Sequence, residues 1–207
     1  MLRMILLSAV LIGVQTPLFA ESRPTLIDEV HQLQTATMVG YTGMTTRNAT
    51  GVSPFAEGAW TFQTYGSAGF GDSKGEIYTA HAGFGYHFVD DLSINLEAIG
   101  GGARPRDDDN GAVGGFDLLF RWHFYHEGDW SIYMDGGAGF QQASTNFPSD
   151  SHHNFRPQFG LGLTYHIKDN VRLMAGARWL HISNAGTTDG NDGLDAAQLY
   201  AGLMWGF

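Results

Sequence analysis

The sequence predicts an all-β protein, an eight-stranded antiparallel up-and-down transmembrane β-barrel. From Ala59 onward it contains eight segments in which apolar and polar side chains alternate, which is the two-residue period of a β-strand. The connections between these segments alternate between short polar turns and longer loops rich in Gly, Asp, Ser and Pro. Apolar-faced segments joined in this way are typical of barrels in the bacterial outer membrane.

Each of the eight segments carries aromatic or aliphatic side chains at alternate residues. Short turns follow the second, fourth and sixth segments, and longer loops follow the third, fifth and seventh. In chain order the apolar faces span residues 60–70, 78–88, 92–98, 116–124, 130–140, 155–167, 171–179 and 199–207.

A soluble barrel of the lipocalin type, with its apolar face turned inward, is the rival architecture. Aromatic residues at both ends of the strands and the final sequence Leu-Met-Trp-Gly-Phe favour the membrane. Eight strands enclose a lumen that side chains fill, so we expect no open pore. Inside the lumen we expect ion pairs among the residues of polar parity, which include Glu97, Asp117, Asp135, Arg121, Arg156, Arg172 and Arg178.

The chain divides into three parts. Residues 1–20 predict a signal peptide, because Arg3 precedes a short apolar stretch and Leu18-Phe-Ala20 offers a cleavage site. Residues 21–58 form an N-terminal extension, in which we expect a short helix and a cap or plug for the periplasmic end of the barrel, and residues 59–207 form the barrel. The absence of Cys excludes a disulfide framework. The formal net charge of −10 argues against nucleic acid as a partner.

The last hairpin places polar residues on its apolar face. His181 and Ser183 share the parity of the apolar side chains of the seventh segment, and Asp195 shares that of the eighth. A serine needs a base to become a nucleophile, and the base needs a third group to orient it. If Asp195 lies opposite His181, it can serve as that third group, with Asp189 and Asp192 as rivals. The backbone of residues 184–186 and the amide of Asn191 are the nearby donors for an oxyanion.

These residues resemble a known family. His181-Ile-Ser183-Asn184-Ala185-Gly186, followed by Asn191-Asp-Gly193-Leu-Asp195, is similar to the lipid A 3-O-deacylase (PagL) family, and so are Asn154-Phe155 and Phe159-Gly-Leu-Gly-Leu163. The likeness is close over about residues 154–207 and otherwise rests on the strand count.

The resemblance implies a lipid-facing Ser-His-acid triad that removes the 3-position acyl chain of lipid A in the outer membrane of a Gram-negative bacterium. It implies His181 as base, Ser183 as nucleophile, and Asn184, Gly186 and Asn191 around the oxyanion. The family pattern has Glu at the acid position, and this chain has Asp195, which is one methylene shorter.

A second class of function is a non-catalytic small barrel that acts in adhesion or envelope stability through its loops. In the enzyme interpretation the partners are lipopolysaccharide and the outer membrane, and we expect no cofactor and no metal ion. The sequence leaves open whether the barrel works as a monomer or as a homodimer.

Asp107-Asp-Asp109 is interpreted as a solvated loop, with a divalent cation bridging it to lipopolysaccharide phosphates as the alternative.

Overall fold

The computed structural model describes residues 53–71, 75–106, 109–148, 150–188, 190 and 193–207. In these residues no helix is long and apolar enough to span a membrane. The strands of the described residues are β1 (Trp60–Gly71), β2 (Gly75–Val89), β3 (Leu92–Pro105), β4 (Gly111–Glu127), β5 (Trp130–Ala143), β6 (His153–Phe155), β7 (Gln158–Lys168), β8 (Val171–Ile182) and β9 (Leu194–Gly206).

The strands close into an eight-stranded antiparallel barrel, as the sequence predicts. β1 pairs with both β2 and β9, and β4 pairs with β5, so the sheet has no free edge in the wall. β6 and β7 are two parts of one barrel strand, because Phe155 lies opposite Phe140 and Phe159 opposite Gly136 in a single register along β5. The interruption falls at Pro157, whose nitrogen carries no hydrogen for the ladder.

The apolar face of the barrel points outward, which confirms the membrane architecture and shows the lipocalin-type alternative to be wrong. Phe116 and Phe120 on β4 are about half exposed, at 52% and 51%, whereas Asp117 and Arg121, which directly follow them in the chain, are buried. The same alternation runs through the other strands, as their burial patterns show. A protein in water would cover these aromatic rings, and a bilayer solvates them.

Ion pairs fill the middle of the lumen. Asp135 accepts hydrogen bonds from Nη2 of Arg121 at 2.9 Å and from Nη2 of Arg178 at 2.7 Å. Asp117 accepts a hydrogen bond from Nε of Arg156 at 3.2 Å. All five side chains are buried. Paired in this way, the buried charges compensate one another.

Arg172 uses different acceptors from the other lumen arginines. Its Nε donates to Thr164 Oγ1 at 2.7 Å, and its Nη2 donates to the carbonyl of Asp129 at 2.8 Å. Arg172 therefore ties the turn between β4 and β5 to the interior of the barrel.

Apolar side chains lie inside both ends of the barrel. At the end where the short turns lie, Phe55 is buried and its ring stacks on His123, with 3.8 Å between ring centroids. At the end where the long loops lie, Phe147 turns inward from the loop after β5 and joins a buried cluster that includes Ile77, Leu180 and Leu194. Phe55 belongs to the part of the N-terminal extension that the structure describes. The predicted helix and most of the predicted plug lie outside the described residues.

Candidate active site

The hairpin of β8 and β9 brings His181 and Asp195 together. The two residues are register partners across the hairpin, and Nδ1 of His181 lies 3.0 Å from Oδ1 of Asp195. Their side chains are 29% and 61% exposed, on the outer wall of the barrel. A histidine held in this way donates its Nδ1 hydrogen to the carboxylate, which leaves Nε2 as the acceptor.

Ser183 follows directly after β8 and is held by the short strand β6. Its N–H donates to the carbonyl of Phe155 at 3.1 Å, and the N–H of Phe155 donates to the carbonyl of Ser183 at 2.8 Å. Paired residues of antiparallel strands point to the same side of a sheet. Because Phe155 is exposed, Ser183 also points outward, although neighbouring atoms leave only 9% of it accessible.

Ser183 and His181 are therefore neighbours on one face, two residues apart on the chain. In the described residues no hydrogen bond joins Ser183 Oγ to His181 Nε2. Catalytic hydrogen bonds in enzymes without substrate are often long and tighten only when the substrate binds. The arrangement has the order that acyl transfer requires: the carboxylate of Asp195 contacts the imidazole of His181, and the hydroxyl of Ser183 lies beside that imidazole.

A tight turn follows Ser183. Ala185 and Gly186 both have positive φ, and Thr187 N–H donates to the carbonyl of Asn184, the pattern of a type I′ turn. Asn184 is buried, and its Oδ1 accepts from Gly186 N–H at 2.8 Å while its Nδ2 donates to Thr188 Oγ1 at 2.7 Å. Asn184 therefore organises the chain immediately after the serine.

Asn191, Asp189 and Asp192 all lie outside the described residues. The same applies to Asp107 and Asp108, whereas Asp109 is described and exposed.

Among the described residues, one cluster has the composition of a metal site. His81, Glu97 and Asp117 are buried in the lumen, and their ligand atoms lie within 4.8 Å of one another. Asp117 is already paired with Arg156, and Nη2 of Arg121 lies 3.7 Å from Glu97. A divalent cation here would add positive charge beside two guanidinium groups, so we interpret the cluster as part of the structural network of the lumen.

Two further residues contact the imidazole and were not singled out from the sequence as site residues. Trp179 stacks against His181, and Gly193 lies close to its ring. Trp179 has the parity of the lipid-facing residues of its strand, so the pattern alone assigns it to the apolar wall. Gly193 belongs to the motif that carries the family resemblance, but sequence spacing does not reveal which ring it approaches.

Solved structures share this fold at low sequence identity. The crystal structure of the outer membrane enzyme PagL matches with a TM-score of 0.58 at 20% identity, over 68% of this chain and 97% of that one. The crystal structure of Neisserial surface protein A (NspA) matches with a TM-score of 0.57 at 15% identity, over 73% of this chain and 98% of that one. The N-terminal β-barrel domain of Pseudomonas aeruginosa OprF matches with a TM-score of 0.50 at 19% identity, over 73% of this chain and 98% of that one. The class of protein is thus the small outer-membrane β-barrel.

The family follows from the sequence. The model of the lipid A 3-O-deacylase (PagL) family matches residues 14–204, and the chain belongs to this family. This match extends well beyond residues 154–207, over which the motifs alone carry a close likeness. No curated protein matches the chain.

Proposed function

We propose that this protein hydrolyses the 3-O-linked acyl ester of lipid A, with Ser183 as nucleophile, His181 as general base and Asp195 as the acid that orients the base. The observation that carries the proposal is the 3.0 Å contact between His181 Nδ1 and Asp195 Oδ1 on the outer wall of the barrel, next to Ser183. Ionisable groups that face lipid are costly, and a function is the usual reason for their presence.

Aspartate is shorter than the family's glutamate, but in this chain its carboxylate still lies 3.0 Å from His181 Nδ1. His181 and Asp195 are direct register partners, and opposite Cβ atoms on antiparallel strands lie roughly 5 Å apart. The shorter side chain spans this distance and reaches Nδ1. Asp195 can therefore hold the imidazole in the tautomer that leaves Nε2 free to accept a proton.

The proposed reaction proceeds in two acyl transfers. In the first, His181 Nε2 takes the proton of Ser183 as Oγ bonds to the ester carbonyl carbon, and the imidazolium then protonates the departing 3-oxygen of the sugar. The sugar leaves with a free hydroxyl, and the acyl chain stays on Ser183 as an ester. In the second, His181 removes a proton from water as the water oxygen bonds to the acyl carbon. The ester bond to Ser183 Oγ then breaks, the imidazolium returns the proton to Oγ, and the fatty acid is released.

The proposed oxyanion residues are Asn184, Gly186 and Asn191. Gly186 N–H already donates to Asn184 Oδ1, so it would have to exchange that bond for one to the substrate. Asn184 Nδ2 carries two hydrogens, of which the bond to Thr188 uses one. We therefore assign Asn184 first the role of fixing the turn after the nucleophile and second that of a donor to the oxyanion.

The location of the hairpin supports lipopolysaccharide as the substrate. Ser183 and His181 lie at the end of the barrel that carries the long loops. In outer-membrane barrels the short turns face the periplasm and the long loops face the exterior. The outer wall at this end therefore faces the outer leaflet, where the acyl esters of lipid A are within reach of a lipid-facing serine.

Mass spectrometry of lipid A tests the proposal directly. Cells that produce the wild-type chain should yield lipid A that lacks one ester-linked acyl chain at position 3, and cells that produce Ser183→Ala should yield unmodified lipid A. Ser144→Ala, the same change at an exposed serine in the loop after β5, is the matched control and should behave as wild type. Unmodified lipid A with the folded wild-type chain present would instead favour the non-catalytic barrel.

A further inference from the structure

The imidazole of His181 rests on an aromatic side chain from its own strand. The rings of His181 and Trp179 are stacked at 20° with 5.7 Å between centroids. Both side chains lie on the outer face of β8, two residues apart, which brings them roughly 7 Å apart at the backbone. The indole ring thus covers one side of the proposed catalytic base.

Trp179 is itself supported from the next strand. The ring of Phe159 on β7 lies 5.4 Å from the indole, and Phe159 is its register partner. On the other side, the register partner on β9 is Ala197, a small residue beside which a large indole can lie flat on the wall. Phe159, Trp179 and His181 therefore form a row of rings that ends at the proposed site.

Gly193 approaches the same imidazole from the start of β9. A Cβ atom on Gly193 would lie 2.6 Å from His181 Cε1 and 3.0 Å from Nε2. Contacts of a Cβ atom as short as the first distance essentially never occur in proteins, so a side chain at residue 193 would have to push the imidazole away. Nε2 is the atom that must exchange a proton with Ser183, so the missing side chain keeps the reacting edge of the ring clear.

The chemistry of the proposed site gives both contacts a purpose. The carboxylate of Asp195 is mostly exposed and is held to His181 by one hydrogen bond, so it restrains the ring only in part. During the reaction the ring becomes a cation, and a cation within about 6 Å of an indole centroid is stabilised by the negative face of the indole. A stacked indole also limits rotation of the imidazole about its side-chain bonds.

We propose that Trp179 and Gly193 are positioning residues for the base: Trp179 supports the ring and its transient positive charge, and Gly193 leaves free the space beside Cε1 and Nε2 of the ring. This inference rests on the proposed function, because it assigns a purpose to contacts with the proposed base. Neither residue takes part in proton transfer.

The test for Trp179 compares three purified variants in detergent micelles with lipid A as substrate. Trp179→Leu keeps an apolar side chain at the membrane surface but removes the aromatic face, and kcat should fall about 10-fold while KM stays near the wild-type value. Trp179→Phe keeps a ring and should restore most of kcat. Trp122→Leu removes another lipid-facing tryptophan, on β4, and should leave kcat unchanged.

The test for Gly193 uses the smallest possible side chain. Gly193→Ala should lower kcat more than Trp179→Leu does, because the methyl group displaces the ring instead of merely uncovering it. Gly100→Ala is the matched control: Gly100 lies on the outer face of β3 with no atom within 4 Å of the added methyl group, and full activity is expected.

The outcomes separate this inference from the proposed function. If Ser183→Ala is inactive while Trp179→Leu and Gly193→Ala keep wild-type kcat, the positioning roles are wrong and the nucleophile assignment stands. If Trp179→Phe is as impaired as Trp179→Leu, the ring face is not what supports the base. If Ser183→Ala retains full activity, the proposed function itself fails.

Discussion

The lumen and the outer wall of this barrel both carry acidic side chains next to basic ones, but they hold them in opposite ways. Asp135 in the lumen is buried and accepts four hydrogen bonds from Arg121 and Arg178. Asp195 on the outer wall is 61% exposed, and His181 is its one hydrogen-bond partner among the described residues. Redundant contacts fix a buried charge in the fold, whereas a single exposed contact contributes little to stability and leaves the pair available for chemistry.

The largest effect that this comparison predicts is on activity alone. His181→Ala should lower deacylation by up to about 10⁶-fold, because a serine without its base keeps only what binding and the oxyanion donors supply. The same variant should unfold at the wild-type urea concentration in lipid vesicles, as followed by tryptophan fluorescence. A large loss of stability would contradict the view that the outer-wall residues are structurally dispensable.

The matching prediction for the lumen is an effect on stability. Asp135→Ala leaves the guanidinium groups of Arg121 and Arg178 buried without their shared acceptor, and should lower the free energy of unfolding by about 3–5 kcal/mol. Urea titration in the same vesicles measures the change. An unfolding free energy equal to that of the wild type would mean that water or neighbouring side chains replace the carboxylate at no cost.

A smaller effect on activity is expected at the acid. Asp195→Asn should lower kcat by about 10²-fold, below the roughly 10⁴-fold seen for a fully enclosed protease triad, because this site is partly wetted. KM should change little, since the substrate does not need the carboxylate to bind. Asp195→Glu should keep appreciable activity, because the family pattern has Glu here. An inactive Glu variant would show that the short register distance requires the shorter acid.

The smallest effects are expected from the other two acidic residues of the hairpin connection. Asp189→Asn and Asp192→Asn should each leave turnover within about threefold of the wild type, because the bond between His181 and Asp195 remains intact. Initial rates of fatty-acid release from lipid A are sufficient to detect a difference. Should either variant match the loss in Asp195→Asn, the role of the acid would have to be reassigned.

The strands of the wall could be predicted because the signal is local. A side chain that faces lipid must be apolar, whereas the next residue along the strand faces the polar lumen. Each strand therefore shows a two-residue period of apolar and polar side chains in its sequence. Phe116, Asp117 and Phe120 show this directly, since their burial follows from their parity. The shared outward parity of His181 and Asp195 follows from the same regularity, but the sequence leaves their register open, and the structure supplies it by pairing the two residues directly.

The packing inside the barrel ends and the rest of the site depend on contacts that parity does not encode. The inward turn of Phe147 and the stacking of Phe55 on His123 are made by residues outside the alternating segments. The contact between Gly193 and His181 depends on how the chain enters β9, and the turn at Ala185 and Gly186 depends on backbone angles that spacing does not specify. These features depend on the three-dimensional arrangement of the chain. The sequence around each residue is compatible with several other arrangements.

The filled lumen has a consequence for the cell that carries this protein. Paired charges occupy the middle of the barrel and apolar clusters lie inside both ends. Among the described residues, buried side chains fill the eight-stranded barrel from one end to the other, so we expect no steady ionic conductance when the protein is inserted into planar bilayers. Many copies of this barrel in the outer membrane would therefore open no route through it for small solutes.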